Sequence, residues 1–482
     1  MDDPAGPEPL SPPPSPRQRR PRDLAASGSA GPGAAVPTGR HETALLLVGL
    51  LVAIAVRAIL IPTNGGWTDI DDYAGWVHRL ATDMPFGAAY QLHISYLPAL
   101  VAVFGALAHV VPGFATATDA SDLLIRVALK LPPLIADCAS AAGVYLLAGG
   151  RRPGRAAAAL AILVVPATWY LSSWWGQYDA IYVAAAIWVA VLAVRDHRVA
   201  AGVLLGLALM TKPQALPLAV PFAVWMLARW RIRRGIGVVL LACLVAAGTW
   251  IPFVPWGGIS DYLQGVGSMQ SNQFAVLSFS AWNPWWLIQG GVEGFGLSDT
   301  TAILGPLTPR VIGLILTLVA VALVALAMIR EPTKNRLLLG LAGATLVSFC
   351  LMTTMHERYA YASLVFLAPL LARPAVRVVW AILAATITIN IVAAMPPDQH
   401  SGSVISPFGP TGVAGSAAMI VATIMVLALL VREDPGDTDL ARPTTDPGRT
   451  PGRARLRSRR RASAQPARDL ARPSGGELDP LS

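Results

Sequence analysis

The run TALLLVGLLVAIAVRAILIP at residues 43–62 decides the fold class of this chain. Its 20 residues are long enough, as one helix, to cross the hydrocarbon core of a bilayer. The run exceeds the apolar region of a cleaved signal peptide and lacks a clear small-residue cleavage site. The sequence therefore predicts a first membrane helix that is retained. Arg57 lies near its outer end, where we expect the long side chain to reach the membrane interface.

The stretch GWTDIDDYAGW at residues 66–76 follows this helix and places three carboxylates beside aromatic rings. Asp69, Asp71, Asp72 and Tyr73 stand where the chain first leaves the membrane. Taken alone, such a cluster is as often a solvated acidic loop as a functional site. The positions of the other polar motifs distinguish these two interpretations.

The composition indicates a membrane protein. Hydrophobic residues make up 54% of the 482 residues, and charged residues only 13%. Soluble domains carry about 25% charged residues, so we expect an all-α polytopic membrane protein. The three cysteines lie inside apolar runs, which supports neither a disulfide framework nor a cysteine-based metal site. The net charge of +9 comes from arginines in the two ends and in short loops, a distribution typical of membrane topology and not of nucleic-acid binding.

The apolar runs predict a bundle of about 12 transmembrane helices. The runs cover residues 43–62, 123–148, 155–173, 178–194, 199–211, 214–228, 235–254, 308–329, 337–355, 359–372, 376–395 and 411–431. Two of them, 199–211 and 359–372, are short and adjoin polar motifs, and we expect their helices to continue through those motifs. Residues 96–112 are interpreted as a re-entrant or interfacial outer-face helix, because the basic loops and both tails then share one side of the membrane.

The two ends are predicted to be disordered cytoplasmic tails. Residues 1–42 are rich in Pro, Ser and Gly, and residues 432–482 are rich in Arg and suited to contact anionic membrane lipids. The transmembrane domain covers 43–431, with a first outer loop at 63–122 and a long outer loop at 255–307 that contains no Lys or Arg. The abundance of Ala, Arg, Gly and Pro favours a bacterial source. We expect a multi-pass protein of the bacterial plasma membrane.

With this topology the polar motifs of the outer loops fall on the extracytoplasmic face. Lys130 and Asp137 lie seven residues apart on one face of the second span, where we expect them to face a polar cavity or to pair with another charge. Trp174 and Trp175 fit an aromatic belt at the membrane interface. The outer-loop motifs contain the acidic stretch, Gln177, Asp179, Lys212, Gln214, Asn283, His356, Glu357, Arg358 and Tyr359. Their convergence predicts a shared site.

The chemistry available to such a site is limited. The chain has no HExxH motif, P-loop or GxSxG motif, so the sequence predicts no metal site and supports neither an ATPase nor a serine hydrolase. A carboxylate suits general base catalysis, and His, Lys and Arg suit the binding of an anionic leaving group. This combination fits transfer from a phosphate-linked donor.

The order and spacing of these motifs resemble the GT-C superfamily of polyprenyl-phosphate-sugar-dependent glycosyltransferases, and most closely the bacterial mannosyltransferases related to the second GPI mannosyltransferase. The resemblance covers residues 43–431. It is carried by Asp69-x-x-x-Tyr73-x-x-Trp76, Lys130-Leu131-Pro132 with Asp137, Trp175-Gly176-Gln177-x-Asp179, Lys212-Pro213-Gln214, Asn283 with Trp285, and His356-Glu357-Arg358-Tyr359. One departure is Ser95-Tyr96-Leu97-Pro98, where such proteins often carry Asp-Tyr-Pro-Pro.

The resemblance implies a GT-C-like bundle whose donor is a polyprenyl-phosphate-linked sugar, with mannose as the first candidate. It identifies no cofactor. Transfer would occur on the outer face, with inversion, to a cell-envelope glycolipid, glycan or protein acceptor. Asp69 would be the catalytic base, with Asp71 and Asp72 as alternatives, and Lys212, His356 and Arg358 would bind the donor phosphate. The residues that would position the sugar or the acceptor are Tyr73, Lys130, Asp137, Gln177, Asp179, Gln214, Asn283, Glu357 and Tyr359.

Two other functions stay open at the level of sequence. A multi-pass transporter or lipid flippase would suit the same number of spans, although carriers usually show internal repeats and ionisable residues near the midplane. A catalytically inactive GT-C-like assembly factor would fit the Ser95 departure. Within the enzyme class the sequence does not separate mannose from glucose or arabinose, because contacts to sugar hydroxyls decide that specificity.

Overall fold

The computed structural model describes residues 38–65, 69–289, 298–303, 305–397 and 405–433, and these residues are mostly helical. They contain 17 α-helices and two short β-strands. The predictions for the two tails fall largely on residues 1–37 and 434–482, which lie outside the described residues. The predicted all-α fold class is confirmed.

The first nine helices contain the acidic stretch and its neighbouring motifs. They are α1 (Thr38–Leu60), α2 (Asp69–Thr82), α3 (Pro98–Val110), α4 (Leu123–Leu147), α5 (Arg152–Val164), α6 (Pro166–Trp169), α7 (Asp179–Val194), α8 (Arg198–Leu209) and α9 (Ala219–Arg229). The three carboxylates of the acidic stretch, predicted to lie in a loop, instead occupy the first turn of α2, while residues 66–68 lie outside the described residues. Carboxylates are favoured there because the helix dipole makes the N-terminus partly positive.

The other eight helices contain the long outer loop and the motif at His356. They are α10 (Ile232–Gly248), α11 (Gly258–Asn272), α12 (Pro284–Ile288), α13 (Pro309–Ile329), α14 (Lys334–Leu351), α15 (Ala362–Leu367), α16 (Pro374–Ala394) and α17 (Gly409–Val431). Strand β1 (Ser278–Phe279) pairs in parallel with β2 (Met355–His356). This pairing joins the long outer loop to the His356 motif.

Five helices in the described part of the chain are long and apolar enough to cross a membrane: α1 from His41, α13, α14, α16 and α17. The segments Arg152–Val164 and Pro166–Trp175 would form a sixth span that is bent by 47°. Pro166 explains the bend, because it has no N–H to donate to the preceding turn. Helices α3, α7 and α8 are apolar but shorter than 18 residues. The predicted count of twelve spans is therefore not confirmed.

The expectation that the two short runs continue as helices through their polar motifs was wrong. Helix α8 ends at Leu209, and Lys212 is extended, with φ −142° and ψ 148°. Pro213 favours this conformation because its ring clashes with a helical preceding residue. In the second case α15 begins only at Ala362, after the motif, and the chain before it turns through Thr354, with φ 57°, into β2, which contains His356. Both polar motifs lie at breaks between helices.

Among the five helices that could cross a membrane, α14 is the most buried and α1 the least buried. All residues of α14 from Asn335 to Cys350 are buried, among side chains of α9, α13, α15 and α17. Only 11% of the apolar stretch of α1 is buried, and leucines such as Leu45 and Leu51 are exposed. In a membrane, α14 is therefore surrounded by protein while α1 presents an apolar face to lipid.

A cluster of aromatic side chains surrounds Tyr73 near the start of α2. Tyr73 of α2 contacts Trp76, Tyr96, Phe104 and Tyr178, with ring centroids between 5.2 and 6.0 Å apart. Aromatic pairs at such separations contribute beyond their buried area. The cluster fixes α2 and α3 against the start of α7, which determines where the carboxylates of α2 point.

Candidate active site

A cavity of about 690 Å³ joins the first turn of α2 to the His356 motif. Helix α11, the end of α14 and the Lys212 segment complete its walls. The cavity brings together most of the residues that the motifs single out. The predicted residues that line it are Asp69, Asp72, Tyr73, Lys212, Gln214, His356, Glu357, Arg358 and Tyr359.

Asp69 is held by two hydrogen bonds to the same oxygen. Trp175 Nε1 and Gln177 Nε2 each donate to Asp69 Oδ2 at 2.8 Å. Oδ1 of Asp69 receives no hydrogen bond from the described residues. The carboxylate is thus oriented through one oxygen while the other stays available to a bound molecule.

The local backbone around Gly176 explains why both donors reach one carboxylate. Residues Tyr170–Trp175 form a π-helical turn, which Gly176 ends in the left-handed conformation with φ 82°. The backbone N–H of Gln177 donates to the carbonyl of Leu171 at 2.8 Å. A Cβ at Gly176 would lie 3.3 Å from Lys130 Cγ, so both conformation and space favour glycine here. Single-turn π-helical insertions are frequent at functional sites.

One part of the cavity wall carries two cations, Lys212 and Arg358, that are already paired. Lys212 Nζ lies 2.9 Å from Asp179 Oδ2, and Arg358 Nη1 lies 2.7 Å from Glu357 Oε1. Arg358 Nε is 3.7 Å from the same oxygen of Asp179. All four side chains are almost completely removed from solvent. Their formal charges cancel, so this wall is polar and nearly neutral overall.

His356 is enclosed by aromatic rings. Its ring centroid lies 4.5 Å from that of Phe279, 5.0 Å from that of Tyr359 and 5.3 Å from that of Phe274. Burial, followed by the nearby charges of Arg358 and Lys212, lowers the pKa of His356 well below its usual value. The imidazole is therefore neutral at pH 7, and it can offer an anion an N–H hydrogen bond but not a full charge.

The second carboxylate of the cavity is Asp72. Burial and the charges of Asp69 and Asp71 raise the pKa of Asp72. Asp69 and Asp72 share the cavity face of α2 because residues three apart lie on one side of a helix. Ser95 and Tyr96 also line the cavity, and the Tyr96 hydroxyl is 2.7 Å from that of Tyr73. The serine of the Ser95-Tyr96 departure thus lies in the site.

Asp71 lies outside the cavity. It is exposed, and its Oδ1 accepts a hydrogen bond of 2.9 Å from the backbone N–H of Ala120. This contact ties α2 to the segment before α4. Among the three carboxylates of the acidic stretch, the geometry separates Asp71 from Asp69 and Asp72.

Lys130 and Asp137, predicted to help position the substrate, do not line the cavity either. Lys130 Nζ donates to the carbonyl oxygens of Thr63 and Leu60, at 2.8 and 3.4 Å, and so caps the end of α1. Asp137 pairs with Arg57 at 3.2 Å and accepts from Ser172 and Tyr361. The expectation that Arg57 reaches the membrane interface was wrong, because its guanidinium is buried in this network.

Asn283 also has a structural place. Its Oδ1 accepts from the backbone N–H of Trp286 and caps α12, while Nδ2 donates to the carbonyl of Phe349. Trp285 Nε1 donates to the carbonyl of Leu351 at 2.8 Å. The pair therefore fixes α12 against the end of α14, next to the cavity and not in it.

Two features of the site were missed at the level of sequence. Trp175, assigned to an aromatic belt, is 2% exposed and holds Asp69. Helix α11 covers the cavity with Met269 and Gln270, and Arg310 holds it there by donating to the carbonyl of Gln270 while binding both oxygens of Asp299. The sequence carried no signal for the role of α11, because the absence of Lys and Arg from the long outer loop indicated only the side of the membrane on which that loop lies.

Within the described ranges, no three His, Cys, Asp or Glu side chains are grouped so that they could hold a metal ion. A comparison with protein families found no matching family model, and a comparison with curated proteins found no significant match. The chemistry of the site is therefore interpreted from its own geometry and from the motifs of the chain.

Proposed function

We propose that this protein is a membrane-embedded glycosyltransferase that moves a sugar from a polyprenyl-phosphate donor to a hydroxyl group of a cell-envelope glycolipid, glycan or protein. The observation that carries the proposal is the shared cavity, which Asp69, Lys212 and Arg358 line together. A base and cations that can bind an anion, in one cavity, are the two kinds of group that such a transfer needs.

Asp69 is the base in this mechanism. Its Oδ1 takes the proton of the acceptor hydroxyl while the hydroxyl oxygen attacks the anomeric carbon of the sugar. The bond from that carbon to the phosphate oxygen breaks, and polyprenyl phosphate leaves with the bonding electrons. Attack opposite to the leaving group inverts the anomeric configuration.

Lys212 and Arg358 stabilise the departing phosphate, and His356 offers it a neutral N–H. Lys212 Nζ has one hydrogen-bond acceptor in the described part of the chain, Asp179 Oδ2, so it retains N–H groups for a ligand. Because Asp179 and Glu357 already balance both cations, the wall accommodates a single added negative charge more readily than two. This favours a monophosphate donor over a diphosphate-linked one.

Apolar and polar lining residues support a lipid-linked sugar as donor. Met269, Phe274 and Met355 give part of the cavity an apolar surface that suits a prenyl chain. Gln214 Oε1 is buried in the same cavity without a hydrogen-bond donor from the described residues. Buried polar atoms are normally paired, so we assign this oxygen to a sugar hydroxyl.

The wider assignment follows the sequence. We propose a GT-C-like bundle of twelve spans in a bacterial plasma membrane, with both termini cytoplasmic and the cavity on the extracytoplasmic face. Mannose is the first sugar to test, because the motifs resemble mannosyltransferases. In this assignment Asp179 and Glu357 hold the two cations, and Gln177, Tyr73 and Tyr359 shape the sugar and acceptor region.

The experiment is transfer of radiolabelled sugar from polyprenyl-phosphate-mannose to membranes of a strain that lacks the gene. Asp69→Asn should lower turnover by roughly 10²- to 10⁴-fold, the usual contribution of a positioned base. Asp71→Asn is the matched control, since Asn keeps the bond to Ala120 and lies outside the cavity, and it should transfer normally. Equal transfer by wild type and Asp69→Asn would overturn the assignment of the base. No transfer from any polyprenyl-phosphate sugar would favour a carrier or an inactive assembly factor.

A further inference from the structure

Trp175 contacts both a carboxylate and a cation of the cavity lining. Its Nε1 donates to Asp69 Oδ2 at 2.8 Å, and the guanidinium carbon of Arg358 lies 4.7 Å from the centre of an indole ring face. The side chain is 2% exposed, so both contacts are shielded from solvent. One rigid side chain thus joins the carboxylate of Asp69 to the guanidinium of Arg358 in the same cavity.

The two contacts use different parts of the indole. The hydrogen bond needs the ring N–H, whereas a cation is attracted to the electron-rich face of any aromatic ring. Gln177 adds a second donor to the same oxygen of Asp69. Trp174, the adjacent tryptophan, instead stacks on Tyr170 with ring centroids 4.3 Å apart.

We propose that Trp175 is a positioning residue with two separable roles: its N–H, together with Gln177, aims Oδ1 of Asp69 at the acceptor, and its ring face fixes Arg358 for the donor phosphate. This inference rests on the glycosyltransferase function proposed above. It predicts that the N–H affects the chemical step, whereas the ring face affects donor binding.

The substitutions Trp175→Phe and Trp175→Leu separate the two roles. Phe retains a ring face for Arg358 but lacks the N–H, so kcat should fall by roughly 10- to 100-fold, since a misplaced base costs about that much. The KM for polyprenyl-phosphate-mannose should stay within about twofold, because Phe still offers a cation–π contact. Leu lacks both features, so kcat should fall and the donor dissociation constant should also rise by roughly 5- to 10-fold.

Gln177→Leu and Trp174→Phe complete the set. Gln177→Leu should lower kcat with donor KM unchanged, and it tests the proposal even where Trp175→Leu does not fold. Trp174→Phe is the control and should behave as wild type. Donor binding is measured with tritiated polyprenyl-phosphate-mannose on purified protein in nanodiscs, after size-exclusion chromatography has shown that each variant is folded.

Each outcome bears on the assignment. Loss of kcat alone in Trp175→Phe, with weaker donor binding in Trp175→Leu, supports it. Wild-type transfer together with unchanged kcat in Trp175→Phe and Gln177→Leu would overturn it and leave the glycosyltransferase function intact. A wild type that transfers no sugar would overturn the proposed function and this assignment with it.

Discussion

At the scale of single residues, Asp179 is the group on which both cations of the site depend. It is 1% exposed, its Oδ2 lies 2.9 Å from Lys212 Nζ and 3.7 Å from Arg358 Nε, and its Oδ1 has no hydrogen-bond donor from the described residues. Removing one member of a buried ion pair leaves the other charge without compensation. Asp179 therefore contributes to stability mainly through Lys212.

We expect Asp179→Ala to lower the free energy of unfolding by about 3–5 kcal/mol, the usual cost of stranding a buried charge. Lys212→Met should also be destabilising, because it removes the nearer of the two cations from the buried carboxylate and leaves only Arg358 Nε at 3.7 Å. The double variant Asp179→Ala, Lys212→Met should recover much of the loss, since neither charge then remains. Thermal melting of all four proteins in one detergent measures this cycle. Losses that simply add in the double variant would show that the two residues do not depend on each other.

The sequence indicated which types of residue belong to the candidate site, but not how those residues are arranged. The three carboxylates of the acidic stretch are equivalent in a loop, so the sequence left the base open among them. In α2 they are not equivalent, because positions 69 and 72 share a face while 71 points away. Lys130 and Asp137 show the converse. Asp137 pairs with the charge of Arg57, as one of the two expected alternatives, whereas Lys130 neither lines the cavity nor pairs with a charge and donates to backbone carbonyls at the end of α1.

At the scale of elements, the turn at Gly176 sets the position of Trp175 and Gln177. Its φ of 82° lies in the left-handed region, which costs a residue with a Cβ about 1–2 kcal/mol. Gly176→Ala should therefore lower stability by about that amount and reduce transfer further than stability alone explains, because both donors to Asp69 move. The control is Gly237→Ala in α10, where an added Cβ meets nothing within 4 Å. Melting temperature and transfer rate test both variants, and normal transfer by Gly176→Ala would contradict the role of this turn.

Hydropathy did not predict the positions at which helices are interrupted. Apolar runs predicted where helices occur, but not that they end at Leu209 or at Leu351. The first break follows from Pro213, a local signal that was available in the sequence. The second depends on β1, which is distant in the chain and pairs with β2. Pairing between distant residues leaves no trace in local periodicity, so the cavity that forms at these breaks could be anticipated only through convergence of motifs.

For the whole molecule, an apolar run in the sequence does not by itself establish that the segment crosses the membrane. Five described helices meet the length and hydropathy of a span, whereas α7 and α8 are apolar and too short by the same measure. Central helix α14 is buried by protein, which hydropathy alone cannot distinguish from burial by lipid. The distribution of basic residues is an independent signal of topology, because it reports the side of each loop and not the length of each helix.

That signal gives a topology that can be measured directly. Exposed positions Thr118 and Gln273 belong to the predicted outer loops, and exposed positions Arg152 and Arg231 to the predicted cytoplasmic side. In a background without Cys138, Cys243 and Cys350, we expect Thr118→Cys and Gln273→Cys to react with a membrane-impermeant maleimide in intact cells, because their loops lie outside. Arg152→Cys and Arg231→Cys should react only after permeabilisation. Labelling of Arg152→Cys in intact cells would place basic loops outside, reverse the topology, and move the cavity to the cytoplasmic face, where a lipid-linked donor on the outer leaflet could not reach Asp69.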